Sequence, residues 1–564
     1  MSLANRFSEY FVQKIQIIRN SFPTTGGYDS PDILTNDRLD SFSLTTDDEI
    51  RKIIMRSPSR SCSLDPLPTW LVKEGIDTFI PILTKLVNTS LQSGSVPASL
   101  KEAHVRPLLK KTGLDQEELK NYRPVSNLTW ISKLIERVVS ARISDFQERH
   151  MLHECYQSAY KKLHSTETAL LRVQSDILHA LDNGDICALI LLDLSAAFDT
   201  VDPQILLKRL HDYIGLSGTA LSWAKSYLSN RSQRVVIGNA MSEPVSLSFG
   251  LPQGSVLGPQ WFTIYTYPIG NIVRKHNLHF HLYADDTQIY LAFKSYEFSP
   301  SISRIEDCIE EIRLWMRDNF LKLNDSKTEY LIIGSKHHTS KTAIDDIVIG
   351  NARIAQSSKA RNLGVIFETD MSPKCQISST LRGTYSQIRN IGKIRKYLTK
   401  DATKLIVHSL VTSRLDMCNS LLYGIPNNQL HRLQLVQNTA ARLVTLTKKR
   451  FHITPVLIDL HWLPVKQRID YKILVFTFKA LNGLTPSYLS DLLCAYTPAR
   501  TGLRSTNRQL LHQPRSHNSF GDRSFIICAP KLWNQLPIQI RNSTCLSSFK
   551  STLKTHLFKL AYDL

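Results

Sequence analysis

The sequence predicts an α+β protein, a small set of paired strands within a mostly helical chain. Three observations predict it. Phe280, Leu282 and Tyr283 precede the acidic pair Asp285-Asp286, and Ile289, Tyr290, Leu291 and Phe293 follow it, which reads as strand, tight turn, strand. Ile186-Cys187-Ala188-Leu189-Ile190-Leu191-Leu192 is a near-continuous apolar run, the mark of a buried central strand. Elsewhere apolar residues recur at helical spacing, most persistently from residue 380 to about residue 480.

Along the chain, residues 1–60 are polar and turn-rich around Pro23-Thr24-Thr25-Gly26-Gly27, and Thr45-Thr46-Asp47-Asp48 opens a short helix at 47–56. Apolar residues at 131, 134, 135, 138, 139 and 143 give Asn127–His150 an amphipathic helical period. Ser165-Thr166-Glu167 starts a helix that Asn183-Gly184 closes with a left-handed cap signal. The strand at 186–192 follows at once. Ile305, Ile309, Ile312, Trp315, Met316 and Phe320 mark a further helix over 305–320, then a turn at Asn324-Asp325-Ser326-Lys327 and a strand, Tyr330-Leu331-Ile332-Ile333. Past 480 the chain reads as turn-rich, then helical again from 545. No fixed-period repeat or low-complexity tract interrupts it.

At 564 residues and 42% hydrophobic content the chain can build several cores. It has no run of eighteen apolar residues, and Met1–Asn20 is mixed and charged with no signal-peptide core. Cysteines at 62, 155, 187, 308, 375, 418, 494, 528 and 545 form no CxxC pair, which argues against a zinc knuckle or a secreted disulfide framework. We therefore expect an intracellular, reduced protein with no membrane partner.

The net charge of +20 is unevenly placed. From Met371 onward there are 28 Lys and Arg against 7 Asp and no Glu, whereas residues 1–370 hold 41 basic and 42 acidic residues. A one-sided excess of this size predicts a polyanion-binding surface in the last third, a solvated basic face being the plainer alternative. Among its aromatics, Tyr385, Tyr397, Phe451, Trp462, Tyr471, Phe476, Phe478 and Trp533 could stack bases, although most such residues serve as core.

Candidate chemistry gathers near the strands. The apolar strand ends in Asp193, a carboxylate that is costly at the mouth of a buried strand unless something binds it. Asp193 and Asp285 on neighbouring strands could share a pair of metal ions of the kind that serves in-line phosphoryl transfer. An isolated acidic turn is more often just a solvated turn, because Asp favours turns. Asp199 and Asp202 read as helix-start acids rather than ligands. Gly250, Gly254 and Gly258 in Phe249-Gly250-Leu251-Pro252-Gln253-Gly254-Ser255-Val256-Leu257-Gly258-Pro259 either let backbone approach a ligand or belong to an ordinary loop.

With these residues in order, the chain resembles the reverse transcriptases of non-long-terminal-repeat retrotransposons of the jockey and chicken-repeat kind. The carriers are Asn121-Tyr122-Arg123-Pro124-Val125-Ser126, Leu192-Asp193-Leu194-Ser195-Ala196-Ala197-Phe198-Asp199, the Gly250–Pro259 loop, Tyr283-Ala284-Asp285-Asp286, Leu323-Asn324-Asp325-Ser326-Lys327-Thr328-Glu329 and Asn362-Leu363-Gly364-Val365. The similarity runs from about Ser61 to the C-terminus and includes His461-Trp462-Leu463-Pro464-Val465 and Ala529-Pro530-Lys531-Leu532-Trp533.

The resemblance implies a right-hand polymerase fold, with fingers, a palm carrying an antiparallel sheet and a helical thumb, plus a mostly helical basic C-terminal region. It implies an RNA-directed DNA polymerase, a nucleotidyltransferase that extends a primer 3′-hydroxyl with dNTPs on an RNA template. Asp193, Asp285 and Asp286, with the Leu194 carbonyl, would bind two Mg2+ ions, Mn2+ being the alternative. Phe198 would be the steric gate against a ribose 2′-hydroxyl. Gln253 and Gly254 would position template base and nucleotide, Arg123 would contact the triphosphate, and Lys110 or Lys111 would assist. Lys327 would be the general acid for pyrophosphate departure, or else a surface lysine after a turn. Asn362, Leu363, Gly364 and Val365 would form the primer grip. RNA template, DNA primer or target and dNTPs are the implied partners, and nucleus and cytoplasm the implied locations.

Implied boundaries are an N-terminal remnant or linker at 1–60, fingers and palm at 61–370, a thumb-like helical region at 371–450 and a basic nucleic-acid-binding region at 451–564. Two departures from the family stand out. Tyr265-Thr266-Tyr267-Pro268-Ile269 replaces the usual Tyr-Ile-Asn-Asp-Leu, with a proline able to disturb the end of a palm helix, and Leu163 replaces a glycine before Ser165. Full-length relatives carry an endonuclease ahead of the polymerase, for which residues 1–60 are too short, so the sequence reads as a polymerase fragment. A catalytically silent relic, or a co-opted nucleic-acid-binding protein, is the competing reading.

Overall fold

The apolar run folds as expected. In the computed structural model, which describes residues 2–22, 35–59, 62–339, 346–350, 352–497 and 509–564, Ile186–Leu192 is a strand with every residue but Leu191 buried. The turn expected at Pro23–Gly27 lies outside the described residues. The chain divides into two units, one of Met1–Tyr160, Asp193–Asn277 and Asp307–Ser326, the other of Lys161–Leu192, Leu278–Glu306 and Lys327–Leu564.

In the first unit, strand Glu102–Leu109 pairs antiparallel with Tyr122–Asn127 and parallel with Arg231–Ile237, on which Val245–Leu247 also forms. Residues 1–60 are more than a linker here. Leu3–Asn20 is a helix, capped by Ser2, whose Phe7 and Phe11 pack on Val105 and Val235 of the sheet. Its buried positions, Ala4, Phe7, Ser8, Phe11 and Ile18, do keep helical spacing, but interspersed charge hides them in the sequence. Asp47–Arg56 is helical with Thr46 as its cap, as the sequence indicates. Trp130–Arg149 is the expected amphipathic helix, started by Thr129. After the glycine loop, helix Leu257–Tyr265 does stop short, and Pro268 then opens a second helix, Pro268–Lys275, at a position where a missing N–H is harmless.

In the second unit, four antiparallel strands lie in the order His279–Tyr283, Asp286–Phe293, Ile186–Leu192, Glu329–Ile333. Helix Thr166–Asp182 backs this unit and is buried on most of its surface. Ser165 and Thr168 form its capping box, and Gly184 follows with φ +76°. Distant segments of the chain satisfy its polar groups. Glu167 accepts from the Ser420 hydroxyl at 2.7 Å and from Lys472 at 3.0 Å, and Asp182 accepts from the His517 and Asn518 amides at 2.9 and 2.7 Å.

A C-terminal core forms around Leu474, Phe478, Trp533, Phe549 and Leu553, with the Phe478 and Phe549 rings stacked at 4.3 Å. The stretch read as turn-rich up to 545 contains the helix Phe525–Gln535, which Pro530 masks in the sequence. Of the aromatics considered for base stacking, Trp462, Phe476, Phe478 and Trp533 are core, while Tyr397 and Phe451 are 76% and 52% exposed. All nine cysteines are free, and among the described residues no helix is long and apolar enough to cross a membrane.

Candidate active site

The acidic hairpin closes as a two-residue turn. Tyr283 pairs with Asp286, leaving Ala284 and Asp285 at the tip. Ala284 is 8% exposed and holds φ +57°, a conformation that costs an L-residue about 1–3 kcal/mol and tends to occur where function fixes the backbone. Asp285 is half-buried and Asp286 exposed. In the same sheet Leu192 stands opposite Thr287, so Asp193 is the residue that follows Leu192 and Asp286 the one that precedes its partner.

In the first unit, residues 193–195 run antiparallel to 322–324. The Asp193 carbonyl accepts the Asn324 amide at 2.9 Å, Leu194 bridges to Leu323, and the Ser195 amide donates to the Lys322 carbonyl at 2.8 Å. The Asn324 side-chain amide also donates to the Asp193 carboxylate at 3.1 Å. Sequence reasoning gave Asn324 no role; its place beside Asp325 and Lys327 in the ordered motifs was the available signal.

The glycine loop and the Phe198 turn meet closely. The Leu251 amide donates to the Phe198 carbonyl and the Gly250 amide to the Val201 carbonyl, both at 2.8 Å. A Cβ on Gly250, at φ +89°, would lie 2.8 Å from the Asp199 carbonyl oxygen, and one on Gly254, at φ +126°, would collide with the Ser126 carbonyl. These are the approaches that only glycine allows. Phe198 stacks on Phe262 at 4.7 Å.

Asp199 is not the helix-start acid the sequence suggests. It receives the Gln253 amide on both oxygens at 2.8 and 3.0 Å, because the turn carries it inward to the loop. Burial pushes its carboxyl up to about 6, against the opposing pull of the Gln253 hydrogen bond and Lys14. Asp202 does cap a helix, accepting from the Gln204 and Ile205 amides. Glu136, unnoticed within its apolar helix face, accepts the Val256 and Leu257 amides at 2.6 and 3.2 Å, and so caps the helix after the loop. Desolvation raises its carboxyl above the ordinary range.

Arg123 is exposed on strand Tyr122–Asn127, the strand whose Ser126 amide donates to the Gln253 carbonyl at 2.8 Å. Lys110 and Lys111 are exposed just past the paired strand, with the Lys110 amine on the Lys120 carbonyl at 2.6 Å. In the second unit, Lys327 is exposed two residues before strand Glu329–Ile333. Asn362 and Val365 close a two-residue hairpin in which Leu363 and Gly364 both have positive φ. The buried Asn362 amide donates to Gln288 at 2.7 Å, which ties this hairpin to the strand that begins at Asp286.

Among the described residues, no group of three or more His, Cys, Asp or Glu side chains is close enough to hold one ion. A Mg2+ ion takes one or two carboxylates and completes its shell with water and substrate phosphates, so the oxygen donors Asp285 and Asp286 on one rigid turn fit that cation.

Residues 109–367 match the family model described as reverse transcriptase (RNA-dependent DNA polymerase). Similar proteins include the probable RNA-directed DNA polymerase from transposon BS of Drosophila melanogaster, 26% identical over 64% of this chain and 40% of that protein. The corresponding protein of the X-element is 27% identical over 60% of this chain and 37% of its own length. The RNA-directed DNA polymerase from mobile element jockey of the same fly is 25% identical over 50% of this chain and 31% of its own length. The chain thus spans about two fifths or less of the length of these relatives.

Proposed function

We propose, from the match of residues 109–367 to the reverse transcriptase family model, that the chain is the RNA-directed DNA polymerase of a non-LTR retrotransposon. The observation that carries the reading is the acidic hairpin, closed at Tyr283–Asp286 inside the matched span and paired to the strand that runs into Asp193. In this reading the first unit's sheet belongs to the fingers, the four-stranded sheet is the palm, and the helices after residue 371 supply the thumb and a nucleic-acid-binding tail.

The reaction is attack of a primer 3′-hydroxyl on the α-phosphorus of a dNTP, forming a phosphodiester and releasing pyrophosphate. Asp193, Asp285, Asp286 and the Leu194 carbonyl are the oxygens that would hold two divalent cations, Mg2+ by preference. When bound, such ions stabilise charge on the attacking and leaving oxygens. Asn324 fixes the Asp193 carboxylate. Phe198, braced by Phe262, presents a ring edge that a ribose 2′-hydroxyl would strike. Gln253 and Gly254 hold the base pair being formed, Arg123 with Lys110 meets the triphosphate, and Lys327 gives a proton to the departing pyrophosphate. The Asn362–Val365 hairpin grips the primer end. Such work on chromosomal DNA places the protein in the nucleus after synthesis in the cytoplasm.

Primer extension on an RNA template with dNTPs and Mg2+ tests the proposal. We expect extension by the wild type and a loss of at least about a thousandfold in Asp285→Ala. No extension by the wild type, or undiminished extension by the variant, ends the polymerase reading. Retained nucleic-acid binding without extension would instead establish a catalytically silent binding protein.

A further inference from the structure

Arg19, near the end of the N-terminal helix, is built into the segments that frame the glycine loop. Its guanidinium donates to the Thr200 carbonyl at 3.2 Å and to the Asp202 carboxylate at 2.7 Å. The same group lies between two rings, 3.5 Å from the centroid of Phe249 and 3.9 Å from that of Phe320. Its side chain is 11% exposed and that of Asp202 12%. Phe22 adds an edge contact to Phe320. One cation therefore joins three chain segments: the 198–202 turn, the first residue of the glycine loop, and the turn at Phe320.

Two of these segments are already stitched by the Leu251 to Phe198 and Gly250 to Val201 hydrogen bonds. Two backbone bonds fix the spacing of two short segments but leave them free to move as a pair. A planar guanidinium with hydrogen bonds at its edge and rings on both faces removes that freedom, and it is worth more when desolvated, as here. The rest of the helix is seated by Phe7 and Phe11 on the sheet, so Arg19 is held from a rigid element. A cavity of about 40 Å³ lies between this helix and the loop, with Lys14 and Ile15 on one side and Gln253 and Asp199 on the other.

We propose that Arg19 is a positioning residue for nucleotide selection: it clamps the paired Phe198 turn and glycine loop to the N-terminal helix and the turn at Phe320, so that the N-terminal helix is a working part of the nucleotide pocket. The proposal rests on the polymerase reading for the meaning of that pocket, while the clamp itself stands on geometry alone. Removing Arg19 lets the joined Phe198 turn and glycine loop, with the Gln253 amide held on Asp199, shift together away from the N-terminal helix and the turn at Phe320. That weakens the fit to a correct dNTP and the clash with a ribonucleotide, with the carboxylates untouched.

Two arms test it on the full chain. In hydrogen exchange, Arg19→Ala should deprotect peptides covering 198–202 and 249–251 by about tenfold or more, with the helix Trp130–Arg149 unchanged. In primer extension, Arg19→Ala should raise the KM for dNTP about tenfold, leave kcat within about twofold, and lower the dNTP-to-rNTP selectivity. Arg19→Lys, which keeps the charge for Asp202 but loses the flat stack, should fall between. In a Phe198→Ala background, Arg19→Ala should cost no further selectivity, because the gate is already gone.

Unchanged exchange at 249–251 overturns the clamp. Loss of protection everywhere, or a fall in kcat with KM and selectivity intact, reduces Arg19 to a merely structural residue and overturns the positioning role. A wild type that extends no primer ends the polymerase reading instead, and the exchange arm still decides the clamp.

Discussion

Leu163 occupies a left-handed conformation, φ +66°, with its side chain half exposed. That backbone costs an L-residue about 1 kcal/mol or more, and little burial offsets it. Leu163→Gly should therefore raise the melting temperature by about 1–3 °C in a thermal scan; a lower value would show that the side chain packs after all. Asp199 gives a second residue-scale prediction. Its carboxyl sits near 6 in the folded chain, above the ordinary 3.8, so the folded state holds the proton more tightly than the unfolded one. Its contribution to stability is then unfavourable above pH 6 and eases as pH falls from 6 toward 4. Asp199→Asn, which still offers Gln253 an acceptor, should melt about 1–2 °C higher than wild type at pH 7.5, an advantage that shrinks steadily as pH falls from 6 toward 4.

The elements divide into those whose cause is local and those whose cause is not. Helix 47–56, helix 166–182, the strand at 186–192 and the acidic hairpin were legible because capping residues, period and turn chemistry lie within the segment itself. The helix Leu3–Asn20 was not, because its apolar face is defined by a sheet a hundred residues away. Asp193, Asp285 and Asp286 were singled out by composition and order, while Asn324 on Asp193, Gln253 on Asp199 and Glu136 on the loop are pairings that no spacing reveals. Glu136 is the sharpest case, a 1% exposed carboxylate standing in for the cap that Val256 cannot provide. Glu136→Ala should cost about 2–4 kcal/mol by orphaning two buried amides, and Glu136→Gln less; chemical denaturation measures both.

Across the whole molecule the basic excess and the fold are entangled. The last third carries 28 Lys and Arg against 7 Asp, yet it also supplies the partners of the buried helix Thr166–Asp182. Truncation at 371 would thus damage the second unit along with any nucleic-acid surface, and point neutralisation is the cleaner probe. Lys448, Lys449 and Arg450 are exposed beside the half-exposed Phe451. Neutralising these basic residues to Gln should flatten the slope of log affinity for an RNA–DNA duplex against log salt by roughly 2–3, at about 0.9 per lost phosphate contact. An unchanged slope would place the duplex elsewhere.

The route of the chain has a consequence in time. It changes unit five times, and although every strand of the four-stranded sheet is complete by residue 333, Asp182 waits for amides at 517 and 518. At typical synthesis rates of 5–20 residues per second, roughly 10–40 s separate those events on the ribosome. Throughout that interval a sheet already carrying its acidic hairpin has a backing helix without its final cover. Newborn chains should accordingly lean on chaperones and be protease-sensitive until the segment around residue 518 emerges.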